Sequence, residues 1–273
     1  MAFKKICIAG KNQIAIDAIE KLLKEHNFKN SNILGITNKT DNGIDDWQPS
    51  FKKYCIKNKI QLVNMEDIYN IENLIFISLE FDKIIKPEKF RSNNFYNIHF
   101  SLLPKYKGMY TSVWPILNNE IYSGVTLHKI DKGIDTGDII DQIKFKININ
   151  DTSRDLYFKY LKYGEVLFTK NINIILKNEY DSKVQSNKGT YYSKKSLDFS
   201  NVKIDLNKTS MQIHNQIRAF IFKEYQYPVI NNKKIRMSYL TNEKIDYNSF
   251  FDTGKDFIIS GIDGYKIIAS YHD

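Results

Sequence analysis

Asn97 and His99 are the first residues of this chain whose types and spacing suggest chemistry. They lie two apart in the stretch NIHFSLLPKYKGMY, residues 97–110, where an apolar segment predicts a strand that ends in a loop. Side chains two residues apart on a strand point to the same face. An amide there offers a fixed donor to a developing oxyanion, and an imidazole offers a second donor or a base near neutral pH. The alternative is a structural histidine at a strand end.

Asp135 is a third candidate, in the stretch DKGIDTGDII of residues 131–140. It lies between Gly133 and Gly137, in a loop that follows another predicted strand, SGVTLHKI. Asn97 and His99 lie at the carboxyl end of their predicted strand, where open parallel sheets build their sites, and the Asp135 loop adds weight to this pair. A carboxylate brought near His99 would orient the imidazole or accept a proton through water. The alternative role for Asp135 is to stabilise the turn.

The elements that must position these residues follow an α/β pattern. Short apolar runs alternate with amphipathic ones through the first half of the chain, as in a parallel-rich sheet covered by helices. The predicted strands are residues 4–10, 31–37, 73–79, 95–100, 123–130 and 137–147. The predicted helices are residues 14–26, 50–59, 111–119 and 152–177, the last with Thr152 or Ser153 as its N-cap.

The pattern changes after residue 200. One helical segment, residues 209–220, is followed by short predicted strands that NNKK, TNEK and GIDGY separate. This is typical of a small, mostly β C-terminal unit. We therefore predict a main domain over residues 1–177, a hairpin or linker over 178–200 and a small α+β domain over 201–273.

Composition and charge exclude several classes of protein. Hydrophobic residues make up 42% and charged residues 26% of the chain, as in ordinary soluble globular proteins. No apolar run approaches the roughly 18 residues of a membrane span, and the short run after Met1 does not predict a signal peptide. Cys7 and Cys55 form neither a disulfide framework nor a metal motif, so we expect no metal and a reducing, cytoplasmic location.

The net charge of +9 raises the question of a nucleic-acid partner. Only four of the 40 basic residues are arginine, whereas surfaces that read phosphates or bases favour arginine forks. Residues 201–273 carry ten basic and eight acidic side chains, which is nearly balanced. We therefore expect no nucleic acid among the partners.

Two motifs taken together resemble a known family. NIHFSLLPKYKG, followed by SGVTLHKIDKGIDTGDII, is similar to the catalytic core of the formyltransferases that use N10-formyltetrahydrofolate. The resemblance is specific over residues 76–142, is consistent with a Rossmann-like fold over 1–177 and is weaker beyond. It implies that Asn97, His99 and Asp135 form the catalytic triad. It also implies that a substrate amine attacks the formyl carbon and that Asn97 and His99 stabilise the oxygen of a tetrahedral intermediate without a metal.

The resemblance also implies where the folate would bind. Its pterin ring would meet backbone groups of two segments, LEFDKIIKP and the Asp135 loop. Backbone amides and carbonyls suit the planar donors and acceptors of a pterin edge. The alternative for FDKII is a strand end and helix start. The residues implied for folate binding are Phe81, Asp82, Lys83, Ile85, Asp131 and Gly133.

Within the family, the chain most resembles the nucleotide-sugar enzymes, and among these the group that formylates dTDP-4-amino-4,6-dideoxyglucose for O-antigen synthesis. The 3-amino isomer is close behind. Met109 and Tyr110 would line the acceptor pocket. Gly10, Lys11 and Asn12 would meet the diphosphate near a helix N-terminus, unless they form only a tight turn. Phe222 and Tyr225 would stack on the base, unless they are core residues.

Other readings of the same family remain open. A methionyl-tRNA formyltransferase would need salt-dependent binding of tRNA, and a hydrolase would use water as the acceptor. A third reading is a non-enzymatic folate or nucleotide-binding module that kept the fold. For the sugar enzyme we expect a homodimer formed through the C-terminal part, because symmetric dimers are the commonest oligomers.

Overall fold

A computed structural model describes residues 5–272 of the chain, apart from the side chain of Asn201. The first predicted strand included Lys4, which lies outside the described residues. The helices are α1 (Asn12–Glu25), α2 (Phe51–Lys57), α3 (Met65–Ile68), α4 (Trp114–Leu117), α5 (Ser153–Lys177) and α6 (Ser210–Ala219).

The strands fall into a first and a second group along the chain. The first group is β1 (Ile6–Gly10), β2 (Ile33–Thr37), β3 (Gln61–Leu62), β4 (Ile75–Leu79), β5 (Asn94–His99), β6 (Lys107–Gly108), β7 (Tyr122–Lys129) and β8 (Ile139–Lys146). The second group is β9 (Tyr191–Tyr192), β10 (Val229–Ile230), β11 (Lys233–Lys234), β12 (Met237–Lys244), β13 (Phe250–Asp252), β14 (Asp256–Ser260) and β15 (Tyr265–Ser270).

A seven-stranded sheet with the order β3-β2-β1-β4-β5-β7-β8 carries the first half of the chain. Strands β1 to β5 pair in parallel, and β7 pairs with β5 in the antiparallel direction. Strands β1 and β4 are buried at every residue, as expected for parallel strands covered on both faces. The predicted α/β class with a parallel-rich sheet is therefore confirmed.

The core next to this sheet is aliphatic and aromatic. Phe76 of β4 and Phe95 of β5 have ring centroids 5.9 Å apart, and Phe90 lies 4.8 Å from Phe95. Cys7 and Leu34 on the neighbouring strands join the same buried cluster. This packing fixes the strand ends from which Asn97 and His99 project.

The long predicted helix is present as α5, and Thr152 is its N-cap. The Thr152 hydroxyl accepts from the backbone N–H of Asp155, and the Asp155 carboxylate accepts from the backbone N–H of Thr152 at 2.9 Å. This reciprocal arrangement satisfies two N–H groups that a helix start leaves unpaired. Ser153, the other predicted cap, is instead the first helical residue.

The C-terminal elements form a four-stranded antiparallel sheet with the order β12-β15-β14-β13. Helix α6 supplies Ile213 and Ile217 to a core that includes Phe257 and Ile267. The prediction that TNEK separates two strands is wrong, because β12 runs through it and Lys244 pairs with Tyr265. The strand is mostly exposed there, so its polar side chains remain in solvent and give the sequence of a loop.

Two compact units divide the chain, and they interleave along the sequence. One contains the residues up to Lys107, Gly124–Lys144 and Tyr160–Tyr191, and the other contains Gly108–Ser123, Phe145–Lys159 and the residues from Tyr192 onward. Segment 178–200 contributes β9, which pairs with β6 rather than with a strand of its own segment. The three-part division into domains remains a prediction. Each helix of residues 5–272 is too short or too polar to span a membrane.

Candidate active site

Asn97 and His99 lie on one face of β5, next to the antiparallel strand β7. The strand register sets Asn97 opposite His128 and His99 opposite Thr126. His99 is 8% exposed and His128 is 2% exposed. The two strands therefore bring an amide and two imidazoles together at one place on the sheet.

Asp135 reaches this place from the loop between β7 and β8. Its carboxylate lies 3.3 Å from Asn97 Nδ2, 3.5 Å from His99 Nδ1 and 3.6 Å from His128 Nε2. The structure thus brings together the three residues that the sequence singled out. Asp135 has a φ of 54°, which is uncommon for a residue with a side chain, so the surrounding structure must hold it in this conformation.

The orientation of the His99 ring is set by a backbone carbonyl. His99 Nε2 lies 2.8 Å from the carbonyl oxygen of Tyr106, and because that oxygen can only accept, Nε2 carries the proton. Tyr106 has a φ of 60°, and its N–H donates to Thr190 Oγ1 at 2.7 Å. Nδ1 is therefore the nitrogen that His99 presents to Asp135.

His128 is a site residue that the sequence reasoning missed. Its Nδ1 lies 2.7 Å from the carbonyl oxygen of Lys129, so Nδ1 is protonated and Nε2 accepts from Asn97 Nδ2 at 3.1 Å. This contact fixes the orientation of the Asn97 amide, with Nδ2 toward His128 and Asp135. The sequence shows His128 within the predicted strand of residues 123–130, but only the register of β5 against β7 shows that its neighbour is Asn97.

The loop after His99 is held by buried hydroxyl and amide groups. Thr126 Oγ1 donates to the carbonyl oxygen of Ser101 and accepts from the N–H of Leu103. Gln142 Nε2 donates to Thr126 Oγ1 at 2.8 Å and to the carbonyl oxygen of Leu103 at 3.0 Å. The Leu103–Pro104 peptide bond in this loop is cis. These contacts support the turn that carries Tyr106 to His99.

The predicted folate contacts lie at two loops, and some of their backbone groups are already paired. The N–H of Asp82 donates to Asn38 Oδ1 at 3.3 Å, and the N–H of Gly133 donates to Asp131 Oδ1 at 3.0 Å. Phe81 packs against the core beside the sheet, and the Ile85 side chain is buried in it. Lys83 is exposed. Folate contact by these residues remains a prediction.

β1 approaches β4 closely at Gly10, immediately before α1 begins. A Cβ atom on Gly10 would lie 2.1 Å from the carbonyl oxygen of Leu79, so only glycine fits without a shift. The N–H of Lys11 donates to that oxygen at 3.3 Å, and Asn12, with a φ of 60°, begins α1. The close approach to Leu79 accounts for the glycine at position 10, whereas diphosphate contact by these residues remains a prediction.

The predicted acceptor and base contacts differ in exposure. Met109 is 46% exposed, and the Tyr110 ring meets Phe199 with centroids 4.9 Å apart. Phe222 is buried, whereas Tyr225 is 63% exposed and lies with its ring centroid 4.8 Å from that of Phe222. The two rings pack against each other, and stacking of Phe222 or Tyr225 on a base remains a prediction.

An open pocket of about 490 Å³ borders the loop that carries Asp135. Its walls come from that loop and from the segment that leads into β9. The lining residues are Lys107, Ile134, Thr136, Asn187, Gly189, Thr190 and Tyr191. A molecule in this pocket would lie beside both neighbours of Asp135 in the chain.

This arrangement suits a reaction that develops charge on an oxygen and releases a proton. The Asn97 amide supplies N–H donors, and the Nδ1 atom of His99 and the carboxylate of Asp135 face each other as proton-handling groups. Within residues 5–272, no group of three or more His, Cys, Asp or Glu side chains is arranged to hold a metal ion.

Comparison with known proteins identifies the family. Residues 6–172 match the family described as Formyl transferase. WlaRD, a sugar 3N-formyl transferase whose structure was determined in the presence of dTDP and 5-N-formyl-THF, is 57% identical. It matches over 99% of this chain and 98% of its own, with a TM-score of 0.96.

Two further relatives extend over nearly the whole chain. The N-formyltransferase from Helicobacter canadensis, in complex with folinic acid and dTDP-3-aminofucose, is 56% identical over 98% of this chain and 100% of its own, with a TM-score of 0.96. A methionyl-tRNA formyltransferase from Clostridioides difficile is 28% identical over 97% of this chain and 90% of its own. Because the family match covers more than half of the chain and near-complete relatives share more than half of its residues, the chain belongs to the formyl transferase family.

Proposed function

We propose that this enzyme transfers a formyl group from N10-formyltetrahydrofolate to the 3-amino group of a dTDP-linked amino-dideoxysugar. The observation that carries the proposal is the identity of 57% over 99% of the chain with a sugar 3N-formyl transferase. It favours the 3-amino isomer over the 4-amino-4,6-dideoxyglucose that the sequence motifs ranked first. The formylated sugar would serve O-antigen synthesis, as the family resemblance implies.

The arrangement of Asn97, His99 and Asp135 supports the chemistry. N10-formyltetrahydrofolate supplies the formyl group when bound. Asn97 Nδ2–H would donate to the oxygen on which charge develops, in exchange for its present contact with Asp135. His99 Nδ1, which faces Asp135 at 3.5 Å, would handle the proton that the amine releases, and Asp135 would accept it directly or through water.

The binding residues belong to the same proposal. The pterin would meet the loops at Phe81–Ile85 and Asp131–Gly133, and the pocket beside Asp135 offers space for a substrate within reach of the triad. Met109 and Tyr110 would contact the sugar, and Tyr225 would stack on thymine with Phe222 behind it. Replacement of Tyr225 by Ala should raise the KM for the nucleotide sugar about tenfold and leave the KM for the folate unchanged.

The proposal also includes a homodimer and a cytoplasmic location. On the outward face of the four-stranded sheet, Tyr239, Ile268, Ile258 and Phe251 form one cross-strand row, and Tyr239 and Phe251 are 42% and 57% exposed. Such a row suits contact with a second copy. Light scattering of Phe251→Lys should then report a monomer. The free, buried thiols of Cys7 and Cys55 agree with a reducing compartment.

A panel assay tests the proposed function. Formyltetrahydrofolate is supplied with dTDP- or UDP-linked 3-amino and 4-amino sugars, with initiator tRNA, or with no acceptor, and the formylated product is measured by mass spectrometry. The proposal expects the highest kcat/KM with a dTDP-linked 3-amino sugar. Preference for the 4-amino sugar would overturn the regiochemistry. Formylation of tRNA alone, or folate turnover without an acceptor, would instead support the tRNA enzyme or the hydrolase.

A further inference from the structure

Gln185 contacts the Asp135 loop from a distant part of the chain. Its Nε2 donates to the carbonyl oxygen of Asp135 at 2.9 Å and to the carbonyl oxygen of Gly137 at 2.8 Å. One side-chain amide therefore holds two backbone carbonyls, one belonging to Asp135 itself. Both contacts lie within the unit that contains the triad.

The backbone of Gln185 is itself anchored near this loop. Lys183, two residues earlier, forms a pair of backbone hydrogen bonds with Ile139 at 2.8 and 2.7 Å. Ile139 is the first residue of β8, directly after the loop. A short segment of fixed backbone thus carries the Gln185 amide, so its two donations can restrain the loop.

The loop needs such restraint because Asp135 adopts a φ of 54°. A residue with a Cβ atom does not favour that region, and it remains there only when its surroundings hold it. Asp131 Oδ1 braces the loop by accepting from the Gly133 N–H and from Thr136 Oγ1. Gln185 adds a restraint on the backbone carbonyls of Asp135 and Gly137.

Gln185 is half-buried, and the enclosure of its amide oxygen indicates that its position is specific. Its Oε1 atom is buried and, among residues 5–272, has no hydrogen-bond partner. Leaving a buried carbonyl oxygen unpaired is unfavourable, so an amide placed only for solubility would turn outward. The two donations are what keep this side chain at the loop.

We infer that Gln185 is a positioning residue, which holds the Asp135 backbone so that the carboxylate faces His99 Nδ1 at 3.5 Å. This inference rests on the proposed role of the triad. It does not require Gln185 to touch either substrate. A displaced carboxylate would weaken proton handling while leaving substrate binding intact, and a misplacement of about 1 Å can cost on the order of 100-fold in rate.

Two variants of similar size test the inference. Gln185→Met removes the amide N–H groups that donate to the Asp135 and Gly137 carbonyls. Gln185→Glu replaces the amide nitrogen with a carboxylate oxygen, which cannot donate to these carbonyls. We expect kcat to fall about 10- to 100-fold in both, with each KM changed less than about threefold. The matched control is Ser182→Ala, in the same segment, where the hydroxyl has only a 3.4 Å contact with Asp138 and kcat should not change. Wild-type kcat in either donor-free variant would overturn the inference.

A crystal structure of Gln185→Met provides a readout that does not depend on activity. The inference expects the Asp135 carboxylate to lie farther from His99, or the loop of residues 131–138 to lose defined density. An unchanged distance between Asp135 Oδ2 and His99 Nδ1 would overturn it whatever the kinetics. The two proposals can fail separately. If the wild-type enzyme formylates no acceptor in the panel assay, but the Asp135 loop is displaced in the Gln185→Met crystal structure, the proposed function fails and the positioning role of Gln185 stands.

Discussion

Asn97 and His128 are directly opposite each other in the antiparallel pair of β5 and β7, and the histidine accepts from the Asn97 amide at 3.1 Å. Because His128 Nδ1 is occupied by the Lys129 carbonyl, only its Nε2 can face Asn97. The pair fixes which end of the amide points toward Asp135. An amide that could rotate freely would present its oxygen to a developing oxyanion half of the time.

Replacement of His128 by Ala should therefore lower kcat about tenfold, through loss of Asn97 orientation, with a smaller effect on KM. Steady-state kinetics with both substrates will measure the effect. His272→Ala is the matched control, because this exposed histidine contacts the Gly254 carbonyl oxygen at 3.0 Å and the Tyr271 ring, and it belongs to the unit that does not contain the triad. Equal kcat values for the two variants would contradict the orienting role of His128.

Replacement of His99 by Ala should lower kcat on the order of 100-fold or more, because the ring offers the proton-handling nitrogen nearest to Asp135. Binding of folate and nucleotide sugar should change little, since the imidazole acts on charge that develops during the reaction. Single-turnover rates and equilibrium binding separate the two effects. Near-normal turnover would reduce His99 to a structural residue that supports the Tyr106 carbonyl.

Replacement of Asp135 by Asn separates charge from backbone conformation. Asparagine tolerates a positive φ at least as well as aspartate does, so the loop should keep its shape while the carboxylate is lost. We expect a large loss of kcat, about 100-fold, with an unchanged melting temperature. If Asp135→Asn retains activity, the residue serves the turn and another group takes the proton.

The shared face of Asn97 and His99 could be predicted from the sequence, because residues two apart on a strand point the same way. The convergence of Asp135 on this pair came from the family resemblance. The rule that parallel strands build a site at their carboxyl ends does not explain it, because β7 runs antiparallel to β5 and Lys129 at its end lies opposite Tyr96. Local rules also predicted the long helix with Thr152 or Ser153 as its cap, and the reciprocal contact with Asp155, three residues on, identifies Thr152 as the cap.

The rest of the site depends on contacts between distant residues, which periodicity does not encode. His128 became relevant only through the register of β5 against β7, and Gln185 reaches the loop across 50 residues. The strand through TNEK was missed for a different reason. β12 is the edge strand of its sheet and is mostly exposed at TNEK, so no core contact requires apolar alternation in its side chains there.

Replacement of Gly10 by Ala tests the close approach of β1 to β4. The added Cβ atom would lie 2.1 Å from the Leu79 carbonyl oxygen, so two fully buried strands must separate. We expect the free energy of unfolding to fall by about 3 kcal/mol, measured by urea titration. Gly254→Ala, with a φ of 87° but no atom within 4 Å, should cost about 1 kcal/mol through backbone strain alone. Equal losses would contradict the steric explanation.

We expect His214 of α6 to make the stability of the unit that contains it depend on pH. Its Nε2–H donates to the Ile149 carbonyl and its Nδ1 accepts from Ser238, both at 2.8 Å, in a fully buried place. Burial lowers the pKa of His214 to about 4, and the nearby charge of Arg218 acts in the same direction against the Ile149 hydrogen bond. Between pH 6.5 and 4 the unfolded chain therefore binds a proton that the folded chain does not.

Stability must consequently fall as the pH drops from about 6.5 to about 4, by on the order of 3 kcal/mol from this residue, and level off below. His214→Gln can keep both hydrogen bonds without titrating, so it should lose less stability than the wild type on acidification. We expect it to be less stable than the wild type at pH 7.5. Urea unfolding at pH 7.5, 5.5 and 4.5 measures the slopes, and the exposed His272→Gln is the control that should retain the wild-type slope. If His214→Gln and the wild type lost the same stability between pH 7.5 and 4.5, the acid sensitivity would arise from carboxylates rather than from this buried imidazole.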